Sequence, residues 1–210
     1  MRLKLPPLYP IIDLTTCPLP IREVMEILAA SSINIIQLRE KTASSRRLFE
    51  DTLRAVEYAR NIQMRVIVND RADLAWLAEA HGVHLGQEDL PVEQARKILG
   101  IDKIIGLSSH NLHQALVAES STSNYVAIGP VFPTVTKENP DPLVPRKELE
   151  EIRKRVTKPL VAIGGITTEN AGPLFELGID SVAVIRDLFA TGNFAGKVKA
   201  FARIADVSRR

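Results

Sequence analysis

Short runs of β-branched and aliphatic residues recur along the chain at intervals of roughly 20–30 residues, with longer amphipathic stretches between them. The short runs predict eight strands, over 9–13, 33–38, 65–69, 82–85, 103–107, 125–129, 159–163 and 181–185. The longer stretches predict helices over 21–31, 44–61, 71–80, 91–99, 110–120, 146–156, 168–177 and 195–206. Strand and helix in strict alternation build a parallel sheet, and eight such units close into an α/β architecture, the (β/α)8 or TIM barrel. A doubly wound open sheet is the competing arrangement. Its Gly-rich turn after the first strand is missing, because Asp13-Leu14-Thr15-Thr16 stands there.

Local signals agree with these boundaries. Ser44 or Ser45 can cap the second helix, and Thr167 or Thr168 the seventh, with Glu169 in its first turn. Pro91 suits the first turn of the fourth, and Gly82, Gly100 and Gly178 suit helix C-termini. No linker or low-complexity tract interrupts the chain, so 1–210 is expected to form a single TIM-barrel domain.

Composition narrows the function. The 27 Lys and Arg against 25 Asp and Glu give a net charge of +2, without the basic excess of nucleic-acid binders. No apolar run is long enough for a membrane span, and no secretory signal is evident in MRLKLPPLYP. Cys17 is the one cysteine, which rules out an intramolecular disulfide and suits a reducing compartment. A cytoplasmic enzyme is the expectation.

Four polar clusters close the second, third, fourth and sixth strands: QLREK at 37–41, ND at 69–70, GQED at 86–89 and GPVFPTVTK at 129–137. Gln37, Arg39 and Lys41 alternate, so they are expected to share one side of a strand end and to offer an amide and two cations to an anion. The competing reading is a solvated cluster in which Glu40 pairs with a neighbour. Asp70 and Asp89 close neighbouring units and as a pair suit Mg2+, with Asn69 as a neutral donor; either aspartate alone is more often a helix cap. Ser108 can donate to a phosphate or a substrate amine. His84 reads as packing, and His110 and His113 as surface positions at a helix start. Thr134, Thr136 and Lys137 make a compact anion cradle, and the backbone at Gly164 and Gly165, with a helix N-terminus behind it, suits a second phosphate.

Taken in order, LYPIID, QLREK, ND, GQED, GLSSH, IGPVFPTVTK and AIGGIT resemble the thiamine-phosphate synthase (thiamine-phosphate pyrophosphorylase) family from about Leu8 to Ile185. The resemblance implies a transferase that joins 4-amino-5-hydroxymethyl-2-methylpyrimidine diphosphate to hydroxyethylthiazole phosphate and releases pyrophosphate by a dissociative route. Carried over by motif, Gln37, Leu38, Arg39, Glu40, Lys41, Asn69, Ser108 and Lys137 would meet the pyrimidine diphosphate. Asp70 and Asp89 would hold Mg2+, while Thr134, Val135, Thr136, Gly165, Ile185 and Arg186 would meet the thiazole phosphate. Arg39, Lys41 and Lys137 would stabilise the departing diphosphate. Two positions depart from the family pattern: Arg186 replaces the usual Ser, and ENPDPLVP after Lys137 lacks the usual glycine. The implied partners are small molecules, with a homodimer an admissible assembly. The alternatives are a thiazole tautomerase, against which the two aspartates and Pro130 argue, and a non-catalytic thiamine-phosphate-binding barrel.

Overall fold

Each apolar run forms a parallel strand followed by a helix in the computed structural model, which describes residues 3–134 and 141–209. The strands are β1 (Leu8–Asp13), β2 (Ile35–Arg39), β3 (Arg65–Asn69), β4 (Gly82–Leu85), β5 (Ile104–Ser109), β6 (Tyr125–Ile128), β7 (Leu160–Ile163) and β8 (Ser181–Val184). The helices are α1 (Ile21–Ala30), α2 (Ser45–Asn61), α3 (Ala72–Leu77), α4 (Val92–Leu99), α5 (Leu112–Ser120), α6 (Arg146–Arg155), α7 (Gly172–Glu176) and α8 (Phe194–Ser208). A 3-10 turn, Asp187–Phe189, precedes α8. Strands pair in chain order, and β8 returns to β1 with Leu8 opposite Val182, so the barrel is closed. The expected (β/α)8 fold is the observed one.

Both faces of the strands are buried, which is why they read as continuous apolar runs. One set of side chains, including Tyr9, Ile11, Ile35, Ile67, Tyr125, Ala127, Val161 and Ala183, fills the barrel. The alternate set, such as Leu8, Ile36, Leu38, Val66, Val68 and Val83, meets the helices. Gly106 makes the interior filling possible, since a Cβ there would lie 2.0 Å from Cζ of Tyr125.

Three boundary expectations need correction. Gly82 opens β4 instead of ending a helix; a Cβ there would lie 2.0 Å from the Ile104 carbonyl oxygen, and Glu79 (φ 55) makes the left-handed step after α3. Pro91 sits at the N-cap of α4, one residue before its first turn. Neither Thr167 nor Thr168 caps α7, which starts only at Gly172. Residues 167–170 form a separate turn, closed by Asn170 Oδ1 accepting the Thr167 N–H at 2.8 Å. The other caps stand: Ser44 accepts the Arg47 N–H, and Gly100 and Gly178 follow α4 and α7 at positive φ.

At the rim where helices hand over to strands, basic side chains bind loop carbonyls. Arg96 donates to the carbonyls of Gly100, Lys103 and Thr122 and to Asn124 Oδ1 at 2.6–2.9 Å. Lys103 reaches the Ala80 carbonyl at 2.7 Å, and Lys158 reaches Ala118 and Ser121 at 2.8 and 2.7 Å. That rim is structural. The chemistry gathers at the other one.

Candidate active site

Parallel strands end together, so the polar residues that close β1 to β5 meet at one mouth. Asp13 on β1 lies in register with Arg39 on β2, and its carboxylate accepts a hydrogen bond from the Arg39 guanidinium. Both side chains are largely buried, at 13% and 17% exposure, so the cation is held rigidly at the barrel wall. Gln37, two residues deeper, is buried. β2 stops at Arg39, so alternation no longer sets the direction of Lys41; that exposed ammonium still lies close enough to act on Asp70. Leu38 packs in the helix-facing core, which leaves only its backbone for a ligand. Glu40 has a buried carboxylate oxygen, Oε2, without a hydrogen-bond partner among the described residues, so the competing reading in which Glu40 pairs with a neighbour finds no support at that oxygen.

Asn69 ends β3 opposite His84, and Asp70 follows it in the left-handed region at φ 65. The Asp70 N–H donates to the His84 carbonyl at 2.8 Å, which fixes this unusual backbone. Its carboxyl group faces that of Asp89 within hydrogen-bonding reach. Burial, then the hydrogen bond and charge of Asp89, push the Asp70 carboxyl up to about 6, against the opposing pull of Lys41 and Arg39. Asp89 does not cap α4; its Oδ2 accepts the Gly86 N–H at 2.6 Å and holds the loop after β4. Two facing carboxylates of which one resists ionisation suit a dication, and their all-oxygen character suits Mg2+. The described residues contain no group of three such ligands, so water and substrate oxygens would complete an octahedron.

Behind the mouth lies a polar chain centred on His84, the one member whose sequence context points to packing. His84 is buried, stacked on Tyr125 at 5.5 Å between ring centroids, and hydrogen-bonded through Nδ1 to the Tyr125 hydroxyl and through Nε2 to Ser108 Oγ, both at 2.9 Å. Burial lowers the imidazole to about 4, so it is neutral at physiological pH. Period-two alternation places Tyr9, Ile11 and Asp13 on one face of β1, but it does not show which residue of the neighbouring strand each one meets.

The second anion site forms on β6 to β8. Gly164 (φ 99) and Gly165 (φ 60) turn the chain at the end of β7, and a Cβ on Gly165 would lie 2.3 Å from the Pro133 carbonyl oxygen. The segment after β6 runs beside them, with Val131 N–H donating to Ile163 and Phe132 N–H to Gly164 at 2.9 and 3.1 Å. Asn170 secures the turn by donating to the Gly165 carbonyl at 3.0 Å. The helix N-terminus expected directly behind the glycines is absent, because α7 begins at Gly172. Thr134 is half-buried next to this turn; Val135, Thr136 and Lys137 lie outside the described residues. Ile185 packs on the barrel interior, and Arg186 is exposed at the start of the 3-10 turn. Lys197 binds Asp187 at 2.9 Å and the Thr168 hydroxyl at 3.0 Å, tying that turn to the loop after β7. His110 is half-buried, not a surface residue: its Nδ1 contacts the Gly129 carbonyl at 2.6 Å and its Nε2 faces Asp141 at 3.5 Å. His113 is exposed as expected.

The family model described as thiamine monophosphate synthase matches residues 8–188. The chain is 44% identical over 192 residues to a thiamine-phosphate synthase of Koribacter versatilis, covering 89% of this chain and 90% of that protein. It is 42% identical over 168 residues to one of Shouchella clausii, covering 80% of each. Among solved structures, a thiamine phosphate pyrophosphorylase from Pyrococcus furiosus superposes with a TM-score of 0.84 at 31% identity, over 96% of both chains.

Proposed function

The chain belongs to the thiamine monophosphate synthase family, and from that premise we propose how its barrel mouth carries out the transfer. Its activity is that of a thiamine-phosphate synthase, a transferase. The pyrimidine diphosphate lies over β2 to β5, with its diphosphate against Arg39, Lys41, Asn69 and Lys137 and its pyrimidine near Gln37 and Ser108. The thiazole phosphate lies over β6 to β8, against Thr134, Thr136, the Gly165 turn and the backbone of Ile185 and Arg186. The exposed Arg186 guanidinium adds a cation where the family usually has a hydroxyl.

The carbon–oxygen bond to the pyrimidine methylene breaks first, and its electron pair leaves with diphosphate. The thiazole nitrogen then gives its lone pair to the methylene carbon and becomes quaternary. No proton moves, which agrees with a mouth that offers cations and positioned donors. Arg39, fixed by Asp13, meets the developing charge without having to reorganise. Mg2+ held by Asp70 and Asp89 would supply further neutralisation of the leaving diphosphate.

The convergence of Asp70 and Asp89 beside Arg39 and Lys41 carries this reading. It is tested by mixing protein, pyrimidine diphosphate and thiazole phosphate with and without Mg2+ and following pyrophosphate. Release that requires both substrates and the metal is expected; metal-independent release would remove the two aspartates from their role. Lys137→Ala is expected to lower turnover by on the order of 10²–10³. A rate within a few-fold of the parent would contradict its placement on the diphosphate. A reducing, cytoplasmic setting belongs to the same reading, supported by the single Cys17 and by a described structure in which no helix is long and apolar enough to cross a membrane.

A further inference from the structure

Gln37 and Ser108 are the two ends of one hydrogen-bonded chain that crosses the barrel interior. Gln37 Nε2 lies 3.3 Å from the Tyr9 hydroxyl, and the Tyr9 and Tyr125 hydroxyls are 2.7 Å apart. From Tyr125 the chain passes through both nitrogens of His84 to Ser108 Oγ. The rings that carry it are locked: Tyr9 and Tyr125 lie 5.6 Å apart, His84 stacks on Tyr125, and Gly106 leaves no free space beside the Tyr125 ring. Tyr9 is 1% exposed and Tyr125 0%, so each phenol proton must be given to a neighbour in the chain and not to water.

Each phenol has one proton to give, and a neutral imidazole has one N–H. When the Gln37 amide donates to Tyr9, the Tyr9 proton goes to Tyr125 and the Tyr125 proton to His84 Nδ1. His84 then carries its proton on Nε2 and donates it to Ser108, whose own proton is left for a ligand. Turning the Gln37 amide over reverses every link. Ser108 then gives its proton to His84 and can only accept from a ligand. A mixed arrangement leaves a buried donor or acceptor unpaired, at a cost of about 1–3 kcal/mol. The chain therefore runs wholly in one direction or wholly in the other.

We propose that Tyr9, Tyr125 and His84 are positioning residues that hold this chain in the first direction, so that Ser108 meets the pyrimidine diphosphate as a donor while Gln37 turns its carbonyl oxygen to it. An aminopyrimidine matches that polarity, with an exocyclic N–H for Gln37 and a ring nitrogen or diphosphate oxygen for Ser108. An oxo group in place of the amine asks the chain to run backwards, so the same three residues discriminate against oxopyrimidines. The inference rests on the placement of Gln37 and Ser108 at the pyrimidine diphosphate made above.

The test combines kinetics and spectroscopy on the intact protein. Tyr125→Phe removes one link and its proton; the expected result is roughly a tenfold loss in kcat/KM for the pyrimidine diphosphate, with KM for the thiazole phosphate moved less than twofold. In a Ser108→Ala background the same substitution is expected to cost clearly less than in the parent, because the part of its effect that passes through Ser108 is gone and only the part carried by Tyr9 and Gln37 remains. Tyr9→Phe is the second variant, expected to act in the same direction. Nitrogen-15 NMR of the parent protein reports the His84 tautomer without any substitution, and the proton is expected on Nε2. A proton on Nδ1 overturns the direction of the chain. Equal loss for both substrates, or a loss from Tyr125→Phe that adds in full to that of Ser108→Ala, overturns the positioning role. If Ser108→Ala itself leaves the pyrimidine diphosphate kinetics unchanged, it is the placement of Ser108 that fails, and the tautomer still reports on the chain.

Discussion

Asp70 combines two features that oppose stability, a left-handed backbone and a carboxyl group crowded by another. Its value of about 6 lies above the ordinary 3.8, so the folded chain holds that proton more tightly than the unfolded one. The resulting stabilisation is complete below about pH 4 and is lost as pH rises through 6. Metal-free protein is therefore expected to lose thermal stability over that interval, and Mg2+ to raise Tm more at pH 8 than at pH 5. Equal shifts at both values would separate the metal from this pair. Asp70→Asn keeps a residue that tolerates positive φ and removes the repulsion. It is expected to raise the metal-free Tm at pH 8 by roughly 2–4 °C while lowering turnover on the order of 10²–10³. A lower Tm would refute the strain. The acids and cations of this mouth could be read from the sequence because each closes an apolar run. Asp13 could not, since it offers no cluster, and only register brings it to Arg39. The role of His84 is not legible either, because a lone histidine in an apolar strand looks the same whether it packs or relays a hydrogen bond.

The turn after β7 shows how local chemistry displaces an element boundary. Asn170 satisfies the Thr167 N–H and the Gly165 carbonyl, which gives the backbone an alternative to helix and delays α7 to Gly172. The apolar pattern that located the helix does not register such a turn, which is why its start was read four residues early. Gly165→Ala would bring a methyl group to 2.3 Å from the Pro133 carbonyl oxygen at a φ of 60. We expect it to destabilise the fold by about 1–3 kcal/mol and to raise KM for the thiazole phosphate at least tenfold, with little change for the pyrimidine diphosphate. Steady-state kinetics with each substrate varied in turn checks this, and a matched rise in both KM values would contradict the separation of the two anion sites.

The barrel divides its tasks between its rims, with cations that bind loop carbonyls at one end and cations that await a ligand at the other. Arg96→Met removes the clamp between the loops before β5 and β6. It is expected to cost about 2 kcal/mol, or roughly 4–8 °C in Tm, while kcat/KM stays within twofold of the parent. A kinetic loss without a thermal one would mean that the rims are not independent. Eight alternating units allow closure, because eight parallel strands fill a barrel with side chains alone, and the missing Gly-rich turn after the first strand favours it over an open sheet. The basal clamps were not apparent, since a Lys or Arg near a helix end looks like any solvated charge until the carbonyl it reaches is known. Closure has a temporal consequence as well. β1 waits for β8, and Ser181 reaches the Pro7 carbonyl across 174 residues of chain. During synthesis on the ribosome the first strand therefore emerges with one edge bare and keeps it bare until β8 has been made. A nascent chain that stalls before Ser181 would present two unpaired apolar edges, and its fate is adhesion to other chains or capture by a chaperone.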